Sequence, residues 1–139
     1  MSVQAEIARL IGVYNLLLDD QLYDPWVQLF TEDGLLCVGG TEYRGHEEIK
    51  NFVASIQPVP PGKHFAGIPV VDVIDESTAH AWSDMVMFLA DAEGVIRTPG
   101  MCRFHDVLAR VDGDWRFARR HLQTTGEPLA PGAPPCPTS

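Results

Sequence analysis

The first part of the chain carries its apolar side chains at helical spacing. Between Val3 and Leu18 they recur every three or four positions, which predicts an amphipathic helix. Its apolar residues are Ile7, Leu10, Ile11, Val13, Tyr14, Leu16, Leu17 and Leu18. Because this apolar face is broad, we expect the helix to be covered on more than one side.

Two further helices are predicted before residue 60. The second begins at its N-cap Asp24, with Pro25 in the first helical position, and ends at residues 31–34. Its buried stripe is Trp26, Leu29 and Phe30. A short strand over 35–38 and a Gly-Gly turn follow, with residues 42–44 pairing back. The third helix begins at Gly45, and prolines 58, 60 and 61 prevent its continuation.

Beyond residue 62 the apolar period changes to the alternation of strands. We predict strands over 63–73, interrupted near 67–69, and over 78–90, 95–111 and 114–122. A break is expected at Pro99-Gly100, because proline cannot donate within a ladder. The Asp112-Gly113 dipeptide favours a tight hairpin before the last strand.

Helices followed by a long antiparallel meander predict an α+β fold. A strongly curved sheet can wrap the first helix and leave a cone-shaped pocket, with Pro69 and Pro99 supplying curvature. The length of 139 residues fits one domain, which we place at 1–125. Residues 126–139 hold five prolines and two glycines, so we expect an extended or disordered tail, most simply a loose end and alternatively a segment that lies over a partner subunit.

Composition excludes several classes of function. A net charge of -9 argues against nucleic acids and anionic membranes as partners. Without a long apolar run or a secretory start, we expect a cytoplasmic protein. The three cysteines show no CxxC spacing, no histidine pair has metal-ligand spacing, and nucleotide-binding motifs are absent. We therefore predict neither a metal nor a cofactor.

The end of the first helix carries two carboxylates, Asp19 and Asp20, where the helix dipole disfavours negative charge. A local rule broken without visible compensation makes a residue a functional candidate. The simplest interpretation of both is a solvated loop acid, which we favour for Asp20. For Asp19 both interpretations stay open at this point.

Several short motifs occur in a fixed order along the chain. They are Tyr14-x4-Asp19, Tyr23-Asp24-x-Trp26, Tyr43-Arg44-Gly45-x-Glu47, Lys63-His64-Phe65 and Asp106-x3-Arg110-x-Asp112-Gly113-x-Trp115. Together, from about residue 5 to residue 122, the chain resembles the SnoaL-like branch of the nuclear transport factor 2-like superfamily. The resemblance implies a cone-shaped fold with an apolar pocket, usually a homodimer through the outer sheet face. The fold hosts many reactions and also binding proteins, so it does not name one.

The resemblance also implies candidate catalytic residues. Asp19 and His64 match the catalytic Asp–His pair of scytalone dehydratase, and Tyr14 matches the oxyanion-binding tyrosine of ketosteroid isomerase. The second catalytic histidine of the dehydratase corresponds to Ser83, and the general base of the isomerase corresponds to Val38, so both activities lack a group here. The alternatives are a strand histidine bonded to a carbonyl for His64 and a core aromatic for Tyr14.

We expect the ligand to contact the pocket-facing side chains of helices and strands. These predicted contacts are Trp26, Phe30, Val38, Phe52, Ser83, Met85, Cys102 and Phe104. Among the other histidines, strand alternation places His105 opposite Phe104, and His46 and His121 are expected in solvent near element ends.

An Asp–His pair in an apolar pocket can act as a general acid and base. We therefore predict a cofactor-independent lyase or isomerase, of dehydratase or cyclase type, acting on a small apolar oxygenated molecule such as a polyketide, steroid or terpenoid. The alternative is a non-catalytic binding or assembly module resembling the β subunits of ring-hydroxylating dioxygenases, which share the Leu-Leu-Asp and Tyr-Asp-x-Trp pattern.

Overall fold

A computed structural model describes the whole chain, Met1–Ser139, as three helices packed on a seven-stranded sheet. The helices are α1 (Val3–Asp19), α2 (Tyr23–Val27) and α3 (Gly45–Ile56). The strands are β1 (Phe30–Val38), β2 (Thr41–Arg44), β3 (Lys63–Ala66), β4 (Val70–Val73), β5 (Thr78–Ala90), β6 (Ile96–Val111) and β7 (Asp114–Thr124). The predicted α+β class is confirmed. No helix combines the length and apolar character needed to span a membrane.

The sheet is curved and open, with strand order β2-β1-β7-β6-β5-β3, and β4 pairs with β5 beside β3. The predicted antiparallel meander of the last strands is confirmed, and β1 extends it by pairing with β7 in parallel, which the sequence did not indicate. All other neighbours are antiparallel. The parallel pair joins the N-terminal half of the chain to the last strand.

The second helix is shorter than predicted. It ends at Val27, and Asp24 lies inside it, where its carboxylate accepts a hydrogen bond from Lys50 Nζ at 2.9 Å. The predictions of an Asp24 N-cap and of an end at residues 31–34 are wrong. The Phe117 amide donates to the Leu29 carbonyl at 2.8 Å, so the chain pairs with β7 where a third helical turn would begin.

The predicted interruptions of the strands have different outcomes. The one near residues 67–69 is confirmed, since β3 and β4 are separate strands on the same edge of β5. At Pro99 the predicted break is wrong, because β6 runs without interruption from Ile96 to Val111. The proline is accommodated by an irregular register, in which Met87 pairs with Gly100 and Leu89 with Arg97.

The core between helices and sheet is centred on four aromatic rings. Tyr14 lies 5.1 Å from Trp26 between ring centroids, and Phe30 lies 5.4 Å from Phe117. Trp26, Phe30 and Phe117 have no exposed surface. This packing fixes α1 and α2 against β1 and β7.

The C-terminal tail is docked, and the expectation of a loose end is wrong. The Pro134 carbonyl accepts hydrogen bonds from Trp82 Nε1 at 3.0 Å and from His105 Nδ1 at 2.8 Å. Ala133 is buried beside this contact. Proline lowers the conformational entropy of the free segment, so few contacts suffice to hold it on the sheet. The tail contains no helix or strand, and the boundary at residue 125 stays a prediction.

Candidate active site

The structure brings Asp19 and His64 together at the end of α1. His64 Nδ1 lies 2.6 Å from Asp19 Oδ1. The backbone N–H of His64 also donates to both carboxylate oxygens, at 3.1 Å each. The side chains are 5% and 9% exposed for Asp19 and His64, respectively. The carboxylate thus accepts two N–H groups of one residue in a nearly buried position.

Two structural features create this contact. Asp19 is the last residue of α1, and β3 is an edge strand whose N–H groups on one side have no strand partner. Asp19 accepts one such N–H, from His64. The N–H donors compensate for the unfavourable end of the helix dipole, which the sequence alone left uncompensated.

The contact leaves one ring nitrogen of His64 free. With Nδ1 donating to Asp19, the neutral imidazole carries its lone pair on Nε2. Nε2 has no hydrogen-bond partner in the protein and is not among the fully enclosed polar atoms. This nitrogen can accept or return a proton.

The pair borders a groove of about 590 Å³ between α1 and residues 63–69. Its apolar walls are formed by Ile11, Leu16, Phe65, Ile68 and Pro69. Asn15 is a further polar residue beside Asp19 and His64. The charged residue Lys63 also lines the groove, which therefore combines apolar walls with a polar end formed by Asn15, Asp19, Lys63 and His64.

Tyr14 faces away from this groove. Its ring lies under the Arg120 guanidinium, 4.2 Å from Cζ to the ring centroid, within the aromatic core. Burial raises the pKa of the Tyr14 phenol to about 12, although Arg120 opposes the shift. The structure does not bring Tyr14 into the groove lined by Asp19 and His64.

The predicted ligand contacts fall into three groups, none of which lines the groove. Trp26 and Phe30 are core residues without exposed surface. Val38 and Phe52 are partly buried against the core. The inward-facing strand residues form two neighbouring pairs, Ser83 with Phe104 and Met85 with Cys102. Their role as ligand contacts stays a prediction.

A buried ion pair that the sequence did not predict lies on the inner sheet face. Arg120 Nε and Nη2 donate to the Asp106 carboxylate at 3.0 and 3.3 Å, and the two residues are 1% and 0% exposed. Arg120 Nη1 has no partner. Burial raises the pKa of Asp106, and Arg120 opposes that shift. Strand alternation puts Asp106 on the same sheet face as Phe104, so the sequence could have indicated that Asp106 faces the interior.

Arg120 was harder to find, because β7 contains an extra residue. Val107 pairs with Arg119 and Leu108 with Phe117, so Ala118 has no partner on β6. This bulge reverses the alternation after Phe117 and turns Arg120 inward. Asn15 was missed, although it is the one polar residue between Val13 and Leu18 and lies four positions after Ile11, an interruption of the apolar period that could have indicated it.

Two histidines that the sequence predicted to be exposed to solvent are buried or partly buried. His121 is 1% exposed with neither ring nitrogen bonded, and burial lowers its pKa. His46 is partly buried, with Nε2 3.0 Å from the Phe30 carbonyl oxygen. His105 lies on the outer sheet face, opposite Phe104, as alternation predicts. No group of three or more His, Cys, Asp or Glu side chains is arranged to hold a metal ion.

Three helices packed on a curved, open sheet are the architecture of nuclear transport factor 2-like proteins. An NTF2-like protein with a cystatin-like fold from Novosphingobium aromaticivorans superposes with a TM-score of 0.79 at 24% identity, covering 89% of this chain and 82% of that one. A SnoaL-like domain model matches residues 1–121. The chain belongs to the SnoaL-like family, which confirms the resemblance seen in the sequence.

Two other solved structures are similar to this chain. A function-unknown protein from Mycobacterium tuberculosis is 29% identical with a TM-score of 0.78, covering 86% of this chain and 70% of that one. A scytalone dehydratase-like protein from Novosphingobium aromaticivorans is 21% identical with a TM-score of 0.73, covering 87% and 83%. No curated protein matches the chain.

Proposed function

We propose that this protein is a cofactor-independent lyase or isomerase that moves a proton next to a carbonyl group of a small, apolar, oxygenated molecule. The observation that carries the proposal is the Asp19–His64 contact of 2.6 Å at the polar end of an apolar groove. Membership of the SnoaL-like family and similarity to a scytalone dehydratase-like protein support it.

In the first step, His64 Nε2 takes a proton from the carbon next to the carbonyl. The electron pair of the broken C–H bond moves to the carbonyl oxygen and gives an enolate. Asp19 stabilises the imidazolium that forms, because its carboxylate stays bonded to Nδ1–H. Low exposure of both side chains strengthens this interaction by excluding water.

In the second step the enolate collapses and His64 returns the proton. If the substrate is a β,γ-unsaturated ketone, the enolate is a dienolate, and its protonation at the γ carbon moves the double bond into conjugation and gives an isomer. Protonation of a β-hydroxyl group instead expels water and gives an unsaturated ketone, and in both cases the enzyme returns to its starting state. An imidazole suits both directions because one ring nitrogen can accept a proton and later donate it.

The walls of the groove define the class of substrate. Leu16, Phe65 and Ile68 are 66%, 70% and 90% exposed, so large apolar side chains border the polar end. A polyketide, steroid or terpenoid skeleton would cover this surface and leave its oxygen near His64. Because Tyr14 contacts Arg120 and does not line the groove, the proposed mechanism does not use it as the hydrogen-bond donor to the oxyanion that the resemblance implies.

The test measures hydrogen–deuterium exchange next to the carbonyl of 2-tetralone, a small apolar ketone, by NMR in D2O. We expect catalysed exchange by the unaltered protein and a loss of about 100-fold or more in His64→Ala, since general acid–base groups contribute about that much. Asp19→Asn should also lose most of the exchange.

Matched controls separate chemistry from folding. Asp20→Asn alters the exposed neighbour of Asp19, and His80→Ala removes a strand histidine outside the groove. Both should exchange at the unaltered rate. No catalysed exchange by the unaltered protein on 2-tetralone or scytalone, or full exchange by His64→Ala, would overturn the proposal. Binding of 2-tetralone without catalysed proton exchange would favour the alternative, in which the protein is a non-catalytic binding or assembly module.

We also propose a homodimer through the outer sheet face. Apolar residues on this face are exposed, including Val70 and Met101 at 52% and 63%. Sedimentation velocity should give a dimer for the unaltered protein and a monomer for Met101→Asp. Val59→Asp, at a residue 90% exposed in the loop after α3, should leave the dimer intact. A monomeric unaltered protein contradicts the proposal.

A further inference from the structure

We infer that Asn15 binds the substrate's carbonyl oxygen and positions the carbon next to it against His64, an inference that rests on the proposed function. Asn15 lines the groove together with Asp19 and His64. The proposed ligands are therefore small apolar ketones. Their carbonyl oxygen would lie one helical turn along α1 from the Asp19–His64 pair.

Asn15 has the properties of a binding residue without its ligand. It is 8% exposed, yet its side-chain amide makes no hydrogen bond within the protein. The amide is not fully enclosed, and because Asn15 lines the groove, we infer that the amide meets solvent there. Water satisfies such a polar group until a ligand with a matching acceptor or donor takes its place.

The spacing along α1 places Asn15 correctly for the proposed proton transfer. Asn15 and Asp19 are four residues apart on one helix, which brings their Cβ atoms to about 5–6 Å on the same face. A carbonyl oxygen accepting from Asn15 Nδ2 would therefore lie near the Asp19–His64 pair. The adjacent carbon can then reach His64 Nε2.

Gly12 supplies the space that such a ligand needs. A Cβ atom built at Gly12 would meet no heavy atom within 4 Å, and Gly12 lines the same groove three residues before Asn15. Glycine inside a helix is less favourable than alanine, so its presence in α1 breaks a local rule. The missing side chain leaves room for a ring beside the Asn15 amide.

The two ends of the amide recognise different groups. Nδ2 donates to a carbonyl oxygen, and the same bond opposes the negative charge that develops there when the enolate forms. Oδ1 can accept from a hydroxyl group on the same ligand. A hydrocarbon of nearly the same shape can make neither bond. Asn15 should therefore favour binding of the ketone over binding of the hydrocarbon.

The test compares binding of 2-tetralone and tetralin, which share a bicyclic skeleton but differ in the carbonyl oxygen. Binding is measured by ligand-observed NMR in the His64→Ala protein, where no turnover occurs. Asn15→Leu and the nearly isosteric Asn15→Asp should each weaken 2-tetralone binding by about 3- to 10-fold, the value of one hydrogen bond. Tetralin binding should stay unchanged in Asn15→Asp.

Each outcome decides the question. Equal losses for both ligands would show a change of shape and overturn the inference, as would unchanged 2-tetralone binding. If the unaltered protein fails to exchange protons while the Asn15 variants lose only ketone binding, the proposed function fails and the binding role of Asn15 stands. Thermal unfolding of Asn15→Asp near the unaltered midpoint establishes that the variant is folded.

Discussion

Single residues in this protein are best understood from the partner that folding gives them. Asp19 is unfavourable at the end of its own helix, and the edge strand β3 supplies the N–H groups that bind it. Arg120 and Asp106 would be costly alone in the interior, and they meet in a bidentate pair. The stability of the folded protein therefore depends on the presence of both members of each pair.

The buried ion pair leads to a stability prediction. Arg120→Met should lower the free energy of unfolding by about 3–5 kcal/mol, because the Asp106 carboxylate is left buried without a partner. Urea unfolding measures this loss. Arg103→Met is the matched control on the neighbouring strand, since its ion pair with Asp84 is exposed and should cost about 0–1 kcal/mol. Equal losses of unfolding free energy in Arg120→Met and Arg103→Met would contradict this prediction.

His121 leads to a prediction of pH dependence. Its pKa is lowered in the folded protein, mainly by burial, so the unfolded chain binds the proton more tightly. The free energy of unfolding should then fall as pH decreases through the unfolded value of about 6.5, and stop falling below the lowered folded pKa. His121→Gln cannot titrate and should show a flatter profile between pH 8 and 5. Identical profiles would exclude a contribution from His121.

At the scale of elements, α1 serves two surfaces at once. One side packs into the aromatic core through Tyr14, and another lines the groove through Gly12, Asn15 and Asp19. The apolar period of the sequence predicts the first side well. The second side carries little apolar signal and becomes recognisable only when β3 lies opposite.

Substitutions at Gly12 test whether α1 has one side in the core and another side in the groove. Gly12→Ala should raise the free energy of unfolding by about 0.5–1 kcal/mol, because alanine favours the helix and the new Cβ meets no atom. Gly12→Leu should keep the protein folded but reduce 2-tetralone binding by filling the groove. Thermal unfolding and ligand-observed NMR measure the two effects. Unchanged binding in Gly12→Leu would show that the ligand lies elsewhere.

The strands show why element boundaries are only partly predictable. Alternation and the Asp112-Gly113 turn locate β5, β6 and β7, since these features depend on neighbouring residues. The start of β1 at Phe30 was missed because its partner on β7 is almost ninety residues away along the chain. Pairing over such a distance leaves no local pattern.

The whole molecule uses the two faces of its sheet differently. The inner face packs against the helices and holds the Asp106–Arg120 pair, while part of the outer face is covered by the chain's own tail. The remaining outer face carries the exposed apolar residues assigned above to a dimer. The proposed dimer would therefore use only the part of the outer face that the tail leaves uncovered.

Removing the tail tests its role in the folded protein. Deletion of residues 130–139 takes away the acceptor of Trp82 Nε1 and exposes that ring, now only 6% exposed. We expect stronger acrylamide quenching of tryptophan fluorescence and a loss of about 1–3 kcal/mol in unfolding free energy, because the two hydrogen bonds to Pro134 are lost at about 0.5–1.5 kcal/mol each. In Trp82→Phe the deletion should leave quenching unchanged. Equal quenching with and without the tail would show that it is undocked.

The sequence by itself determined the helices-then-sheet order, the α+β class, the SnoaL-like resemblance and the candidates Asp19 and His64. These depend on local periodicity, turn residues and the spacing of short motifs. Only the tertiary structure decided that Tyr14 faces Arg120, that the Ala118 bulge turns Arg120 inward, and that the proline-rich tail is docked. The physical reason is that the Tyr14 and tail contacts join segments far apart in the chain, while the bulge depends on the register that β7 adopts against β6, and no local apolar pattern encodes either.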